Sequence, residues 1–324
     1  MKRLILTSTL ILLIVPLWSS GPGLTDGQIP VAQDTSLILF EAVDSLAQDS
    51  LRGQQVWIDS LDSDTLMADS LPADSLAPEV EPLELLTPVP DSISFEGFRE
   101  IENNAFGLGE KLVFSISYGP VNAGTAVMEI SRIVQLNERD CYHVISTAKS
   151  NKFFSSFFKV EDRVESFIDV KGIFSWKFEQ HLREGHYRAD RFANYDQIRH
   201  IATTNKGNME VPPYVQDVLS ALYYVRTQDL EVGRPLYVDN HSGRKLYPLE
   251  VKVHRRERVK VPAGSFDCFV VEPILKAGGM FKHKGRIWVW LTTDERKMPV
   301  LMKSKIIVGS IDAKLKSFKP GQIS

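Results

Sequence analysis

The chain has 324 residues, a net charge of −3 and a composition typical of a globular protein, with 43% hydrophobic and 24% charged residues. Its length allows one or two domains. Residues 24–100 contain 16 acidic and 2 basic side chains, whereas residues 101–324 contain 25 acidic and 34 basic ones. After residue 20 no segment is apolar enough to span a bilayer as a helix. The acidic and basic halves are therefore interpreted separately.

The first 20 residues have the features of a secretory signal peptide. Lys2 and Arg3 precede the uncharged stretch 4–18, and small residues follow it. A retained signal anchor is the alternative, although 15 helical residues span only about 22 Å of a core of about 30 Å. No cysteine follows the apolar stretch, so a lipid-modified N-terminus is not expected. We predict an exported protein of the periplasm or cell envelope, for which nucleic-acid binding is not expected.

Residues 21–97 contain a near-regular Asp-Ser-Leu repeat, with copies that begin at Asp44, Asp49, Asp59, Asp69 and Asp74. A five-residue step places the leucines on no single face of a helix or strand. With Pro72, Pro78, Pro82, Pro88 and Pro90, and a net charge of −14 over residues 24–100, the segment is typical of a disordered, self-repelling linker. The alternative is a set of weak docking motifs that bind an envelope protein by avidity.

Residues 98–324 are predicted to form one β-rich globular domain. Leu112, Phe114 and Ile116 alternate with more polar residues, as expected of a half-buried strand. Turn residues separate runs of the same kind. The predicted strands are 111–117, 126–134, 141–147, 164–169, 174–182, 187–195, 200–204, 236–239, 245–255, 258–261, 267–273, 285–292, 299–303 and 306–318.

One short helix is expected near residues 213–227. Apolar residues recur at helical spacing from Val215 to Val225, and Pro212 and Pro213 lie just before them. Many short strands and a single helix predict a mainly β fold, an antiparallel sheet curled into an open or closed barrel. Short strands with charges on both faces favour a soluble barrel over a membrane-spanning one.

Motifs in this domain resemble an exported bacterial family, domain of unknown function 3108. The resemblance covers most of residues 100–318 and implies an exported, β-rich fold with no established activity or catalytic residues. The matching motifs are Phe106 to Leu112, Tyr118 to Val121, Ala123-Gly124, Glu161 to Arg163, Glu184-Gly185, Val261 to Asp267, Trp290 to Asp294 and Pro299-Val300.

The two cysteines, Cys141 and Cys268, leave a disulfide open as one possibility in an oxidising compartment. Both lie in predicted strands with apolar neighbours, so two buried free thiols are the alternative. The pair can form a bridge only if the two Cα atoms come within about 7 Å of each other.

The sequence offers no catalytic motif. His181 and His186 are separated by an odd number of residues and point to opposite faces of a strand, so they cannot converge on a metal. The adjacent carboxylates Glu161 and Asp162 diverge in the same way. No nucleophile elbow or phosphate-binding loop is present. We therefore predict no metal, no cofactor and no enzymatic activity.

Aromatic residues provide the candidate ligand-binding side chains. Phe153, Phe154, Phe157 and Phe158 would share one face of a helical turn, and lysines flank them. Such a face suits a lid over an apolar ligand or a contact with an anionic membrane surface, and a packed core is the alternative. Trp288 and Trp290 share a strand face and are expected in the barrel interior. The basic residues Arg255, Arg256, Arg258 and Lys260 suit anion binding or the protection of an edge strand.

These features favour a non-enzymatic cell-envelope binding module for an apolar or amphiphilic molecule, such as a lipid, held on a flexible tether. The alternative is a structural or assembly factor that binds another envelope protein through the tether and sheet edges. A hydrolase is the third hypothesis. The sequence leaves open the ligand, the partner and the oligomeric state.

Overall fold

The computed structural model describes residues 97–243, 245–275, 286–305 and 310–323. The signal sequence and most of the predicted linker lie outside these residues. Fourteen strands are present in the described part of the chain: β1 (Lys111–Tyr118), β2 (Val121–Leu136), β3 (Arg139–Ser150), β4 (Glu161–Asp169), β5 (Ser175–Glu184), β6 (Tyr187–Asp196), β7 (Ile201–Thr204), β8 (Gly207–Glu210), β9 (Leu236–Ser242), β10 (Lys245–Val261), β11 (Gly264–Leu275), β12 (Arg286–Thr292), β13 (Pro299–Lys305) and β14 (Ser310–Lys319). The helices are α1 (Lys152–Ser155) and α2 (Val218–Thr227).

All fourteen strands belong to one antiparallel sheet. Its order is β8-β7-β6-β5-β4-β3-β2-β1-β14-β13-β12-β11-β10-β9, so two meanders meet where β1 pairs with β14. The sheet is not closed, since β8 and β9 form its edges. The predicted fold class, a mainly β antiparallel sheet in an open barrel-like form, is confirmed.

Two strand predictions were wrong in detail. The segments 245–255 and 258–261 form the single strand β10, which absorbs its irregularity in a register shift between Val253 and Arg255. The four-residue strand β8 was not predicted because Gly207 and its polar neighbours are typical of a turn.

Helix α2 packs on one face of the sheet. It begins at Val218, because the Asp217 carboxylate accepts hydrogen bonds from the backbone N–H groups of Leu219 and Ser220, at 2.7 and 3.0 Å. The Ser220 hydroxyl in turn accepts from the Asp217 backbone N–H at 2.8 Å, which completes a capping box. The helix is almost entirely buried and shares one apolar core with the sheet.

Of the two alternatives for the cysteines, the structure has the pair of buried free thiols. Cys141 and Cys268 are both free and buried. They lie on β3 and β11, and strands β2, β1, β14, β13 and β12 separate these two strands in the sheet. Each thiol donates a hydrogen bond to the backbone carbonyl two residues earlier, at 3.6 Å. Burial raises the pKa of both thiols to about 12, so neither is a reactive thiolate at neutral pH.

In the described part of the chain, neither helix has the length and apolar character needed to cross a bilayer.

Candidate functional site

The phenylalanine segment forms a compact turn between β3 and β4. The Asn151 side chain caps α1 by accepting from the backbone N–H of Phe154 at 2.9 Å, and its amide donates to the Asn122 carbonyl at 2.7 Å. The backbone N–H groups of Phe157 and Phe158 donate to the Phe154 carbonyl at 3.1 and 2.7 Å. These bonds hold the turn in one conformation and connect it to the first residues of β2.

Three rings of this turn face solvent. Phe153 is 61% exposed, Phe157 52% and Phe158 37%, whereas Phe154 is half-buried. The ring of Phe153 contacts those of Phe154 and Phe157 at centroid distances of 5.7 and 5.4 Å. The turn therefore presents an apolar surface, and a packed core does not account for these three side chains.

The β5–β6 hairpin extends this surface. Gly185 lies against the ring of Phe158, since a Cβ added at Gly185 would stand 2.7 Å from the Phe158 Cε2 atom. The Gly185 N–H also donates to the Lys159 carbonyl at 2.8 Å. Tyr187, at the start of β6, is 40% exposed. We call Phe153, Phe157, Phe158 and Tyr187 the aromatic rim. Sequence reasoning missed Tyr187, which lies two residues after the Gly185 that contacts Phe158.

Basic residues surround the aromatic rim. Lys149 and Lys159 both contact the Glu161 carboxylate, at 2.9 and 3.2 Å, and hydrogen bonds from these lysines lower the pKa of Glu161. Lys152 lies in the same turn, and none of the described residues forms an ion pair with it. Two lysines share one carboxylate and Lys152 adds a further positive charge, so the net charge of these four residues is positive.

The two tryptophans lie elsewhere. Val289 lines the crevice beside α2, so Trp288 and Trp290, which alternate with Val289 along β12, lie on the opposite face of the sheet. Trp290 belongs to the buried hydrophobic core cluster, and Trp288 is half-buried and packs against it. Trp290 is buried and donates to Glu257, and Arg286 stacks on Trp288 at 4.7 Å. Strands β2, β1, β14 and β13 lie between β12 and β3, so the tryptophans form no common site with the rim.

The described interior offers little space for a ligand. The apolar crevice between α2 and strands β10 to β12 has a volume of about 30 Å³. That volume is close to the share of one water molecule in the liquid. Its walls are Ala221, Leu222, Val225, Leu249, Val251, Val271, Pro273 and Val289. A lipid or another large amphiphile cannot enter it without displacing the helix.

Two buried carboxyl groups lie beside the base of the turn. The side chains of Asp162 and Glu184 are both buried, and Asp162 accepts from the Arg183 backbone N–H at 2.7 Å. Burial raises the pKa of Asp162. As expected for adjacent strand residues, Glu161 is exposed while Asp162 is buried.

A histidine and two glutamates come together on the outer face. Ligand atoms of Glu165, Glu179 and His181 lie within 4.8 Å of one another, close to a cleft of about 300 Å³. Their polar atoms are already engaged: Glu165 with His143 and Arg163 at 2.5 and 2.6 Å, Glu179 with Lys177 at 2.7 Å, and His181 with Asp190 at 2.8 Å. Burial alone would raise the pKa of Glu165, but hydrogen bonds from Arg163 and His143 lower it. The arrangement is an ion-pair network across β3 to β6.

The predicted basic cluster lies on β10, beyond the part of the strand that β9 covers. Strand β9 pairs with β10 only from Lys245 to Val251, although β10 continues to Val261. Arg255 pairs with Glu257 at 2.8 Å, and Arg258 with Asp267 at 3.4 Å. The basic cluster therefore lies on the part of β10 that pairs with β11 but not with β9. Charged residues at such a position are typical of the protection of an exposed strand edge.

The fold and the rim define an exposed aromatic surface on an open antiparallel β-sheet with a packed helix. The chain belongs to the family DUF3108, described as a protein of unknown function, which matches residues 113–316. No curated protein matches the chain.

Several solved structures are similar at low identity. A beta-barrel-like protein of domain of unknown function DUF1849 from Brucella abortus has 10% identity and a TM-score of 0.46, covering 67% of this chain and 100% of that one. A predicted lipoprotein from Parabacteroides distasonis has 12% identity and a TM-score of 0.32, covering 68% and 99%. A predicted exported protein with a YmcC-like fold from Bacteroides fragilis has 13% identity and a TM-score of 0.32, covering 68% and 99%.

Proposed function

We propose that this protein is an exported, non-enzymatic binding module that holds an apolar or amphiphilic molecule against its aromatic rim. The observation that carries the proposal is the exposure of three phenylalanine rings on a capped turn, at 61%, 52% and 37%. Covering a half-exposed phenylalanine contributes about 1 kcal/mol, so the three rings together supply about 3 kcal/mol.

The packed interior determines the mode of binding in this proposal. A crevice of about 30 Å³ admits no acyl chain, so the ligand lies on the surface of the rim. The lysines supply attraction for an anionic head group, since Lys149 and Lys159 share the Glu161 carboxylate and Lys152 has no ion-pair partner among the described residues. The N-terminal sequence supports export, and the acidic segment 21–97 supplies the tether.

A titration with a monomeric amphiphile tests the proposal. Lyso-phosphatidylglycerol, added below its critical micelle concentration, should bind the purified protein with saturation in native mass spectrometry. The double variant Phe153→Ser/Phe157→Ser should lose most of this binding. Phe192→Ser is the control, because Phe192 is also an exposed phenylalanine, at 37%, but lies in the outer-face cleft. Absence of a bound species, or equal binding by all three proteins, would contradict the proposal.

A second candidate function is the assembly factor, and the basic half of β10 is the observation that favours it. An extended acidic segment of another envelope protein could pair with the part of β10 beyond Val251 and meet Arg255, Arg256 and Arg258. Affinity purification of the protein from cells, with and without residues 24–97, separates the two functions. A defined protein partner that is lost in Arg256→Glu but retained in Phe153→Ser/Phe157→Ser would favour assembly.

A further inference from the structure

We propose that the aromatic rim docks on the surface of a bilayer that contains anionic lipid, with the rings among the head groups and the lysines against the lipid phosphates. This inference rests on the proposed function and names its occupant. The proposed function requires a single bound amphiphile, whereas this inference requires the surface of an intact bilayer.

The shape of the site favours a surface as the occupant. The exposed rings come from two connections at the same end of the sheet, the β3–β4 turn and the β5–β6 hairpin, which touch through Phe158 and Gly185. The rings of Phe153 and Phe157 are each more than half exposed, and that of Phe158 is 37% exposed. Exposed rings can enter a head-group layer from above, whereas they can cover only one side of a free molecule.

The rigidity of the turn favours insertion. Asn151 caps α1 and is bonded to Asn122, and the hydroxyls of Ser150 and Ser155 lie 2.7 Å apart. The Ser150 hydroxyl also accepts from the Val160 backbone N–H at 2.9 Å, which closes the base of the turn. The backbone of the turn therefore has little conformational freedom left to lose on binding, which lowers the entropic cost of covering the rings.

The charges around the rim specify an anionic surface. Glu161 lies between Lys149 and Lys159, while Lys152 has no ion-pair partner among the residues that the structure describes. Arg188, next to Tyr187, directs its guanidinium to the carbonyls of Gly185 and Tyr187 and remains on the rim. Positive groups therefore lie within or next to both connections that carry the rings, so that rings and charges can contact a negatively charged interface at the same time.

Vesicle co-sedimentation of the full exported chain tests this inference. Binding to vesicles of phosphatidylcholine with phosphatidylglycerol should be at least about 10-fold tighter than binding to phosphatidylcholine alone, and it should weaken as salt is added. Phe153→Ser/Phe157→Ser should weaken it by about 10-fold or more, and Lys152→Glu by about 5-fold. Tyr237→Ser and Lys319→Glu are the matched controls, because both residues are exposed and lie away from the rim.

The outcomes separate this inference from the proposed function. Binding of monomeric lyso-phosphatidylglycerol without vesicle binding would overturn the membrane inference and leave the proposed function intact. Vesicle binding that is equal with and without phosphatidylglycerol, or unchanged in the rim variants, would also overturn it. If the unmodified protein binds neither monomeric lyso-phosphatidylglycerol nor vesicles, both proposals are contradicted. As a second readout, emission of Phe157→Trp should be quenched by brominated lipid, and that of Tyr237→Trp should not.

Discussion

Arg226, near the end of α2, forms a two-armed ion pair with Glu110: its Nη1 and Nη2 atoms each lie 2.7 Å from one carboxylate oxygen. The two side chains are 0% and 2% exposed. A third bond from Nη2 reaches the Ala105 carbonyl at 3.2 Å. This pair joins the segment before β1 to the helix that fills the concave face.

The first prediction concerns this pair. Glu110→Gln should destabilise the domain by about 3–5 kcal/mol, because it leaves the Arg226 guanidinium buried without its counter-charge. The measurement is the midpoint of urea unfolding followed by circular dichroism. Lys111→Ala is the control, since its ion pair with Glu129 is exposed and should contribute less than about 1 kcal/mol. Equal losses of stability in the two variants would show that the buried ion pair stabilises the domain no more than an exposed one does.

The second prediction concerns pH and the carboxyl groups of Asp162 and Glu184. Burial raises the pKa of Asp162, so the folded state holds a proton that the unfolded state has released. Stability should therefore fall as pH rises from the ordinary aspartate pKa through the raised one. Asp162→Asn should remove this loss and be more stable than the unmodified protein at neutral pH, on the order of 1 kcal/mol.

The neighbouring residue supplies the control for that prediction. Glu161 is exposed, and its pKa is lowered by hydrogen bonds from Lys149 and Lys159, so Glu161→Gln should give no gain in stability at neutral pH. Chemical denaturation from acidic to neutral pH measures both variants. If the free energies of unfolding of Asp162→Asn and the unmodified protein differ by the same amount across this pH range, the pKa of Asp162 is not raised in the folded state.

The third prediction is that both thiols are free and protected. Denatured, unreduced protein should react with two equivalents of a thiol reagent, whereas folded protein should react slowly, because Cys141 and Cys268 are buried with pKa values of about 12. A colorimetric thiol assay measures both. Absence of reactive thiols in the denatured, unreduced protein would demonstrate a bridge that this strand order does not permit.

The fourth prediction tests the contact between the two loops of the rim. Gly185→Ala should displace the Phe158 ring, because the new Cβ would lie 2.7 Å from it, and a positive φ of 55° adds strain. Gly119→Ala is matched in backbone strain, with a φ of 54°, but nothing lies within 4 Å of the added Cβ. Gly185→Ala should weaken lyso-phosphatidylglycerol binding several-fold relative to Gly119→Ala, and equal binding would show that this contact does not shape the site.

The sequence was sufficient for features that depend on local periodicity. Alternation at Leu112, Phe114 and Ile116 identified a buried strand face, and all three side chains are at most 4% exposed. Helical spacing identified α2, which begins a few residues after the predicted start because Asp217 is its cap. The phenylalanine spacing identified the turn, because a four-residue helix needs only local bonds.

Features that depend on strand pairing could not be obtained in this way. The contact of Asp162 with Glu184, and that of Phe158 with Gly185, follow from the register between β4 and β5 and from the hairpin that follows. The separation of Cys141 from Cys268 follows from strand order, which the sequence does not encode in any short motif. Alternation alone gave no sign of which face of β12 would meet the helix, so it could not show that Val289, rather than Trp288 or Trp290, lines the crevice beside α2.

The most direct test of the central claim is to map where an amphiphile touches the protein. A fatty acid that carries a photoactivatable diazirine would be cross-linked to the exported protein and the labelled peptides identified by mass spectrometry. We expect the label on residues 153–158 and 185–187, and its loss in Phe153→Ser/Phe157→Ser. Labelling of the crevice residues Leu222, Val251 and Val289, or uniform labelling that the double variant does not change, would contradict the assignment of the aromatic rim as the binding site.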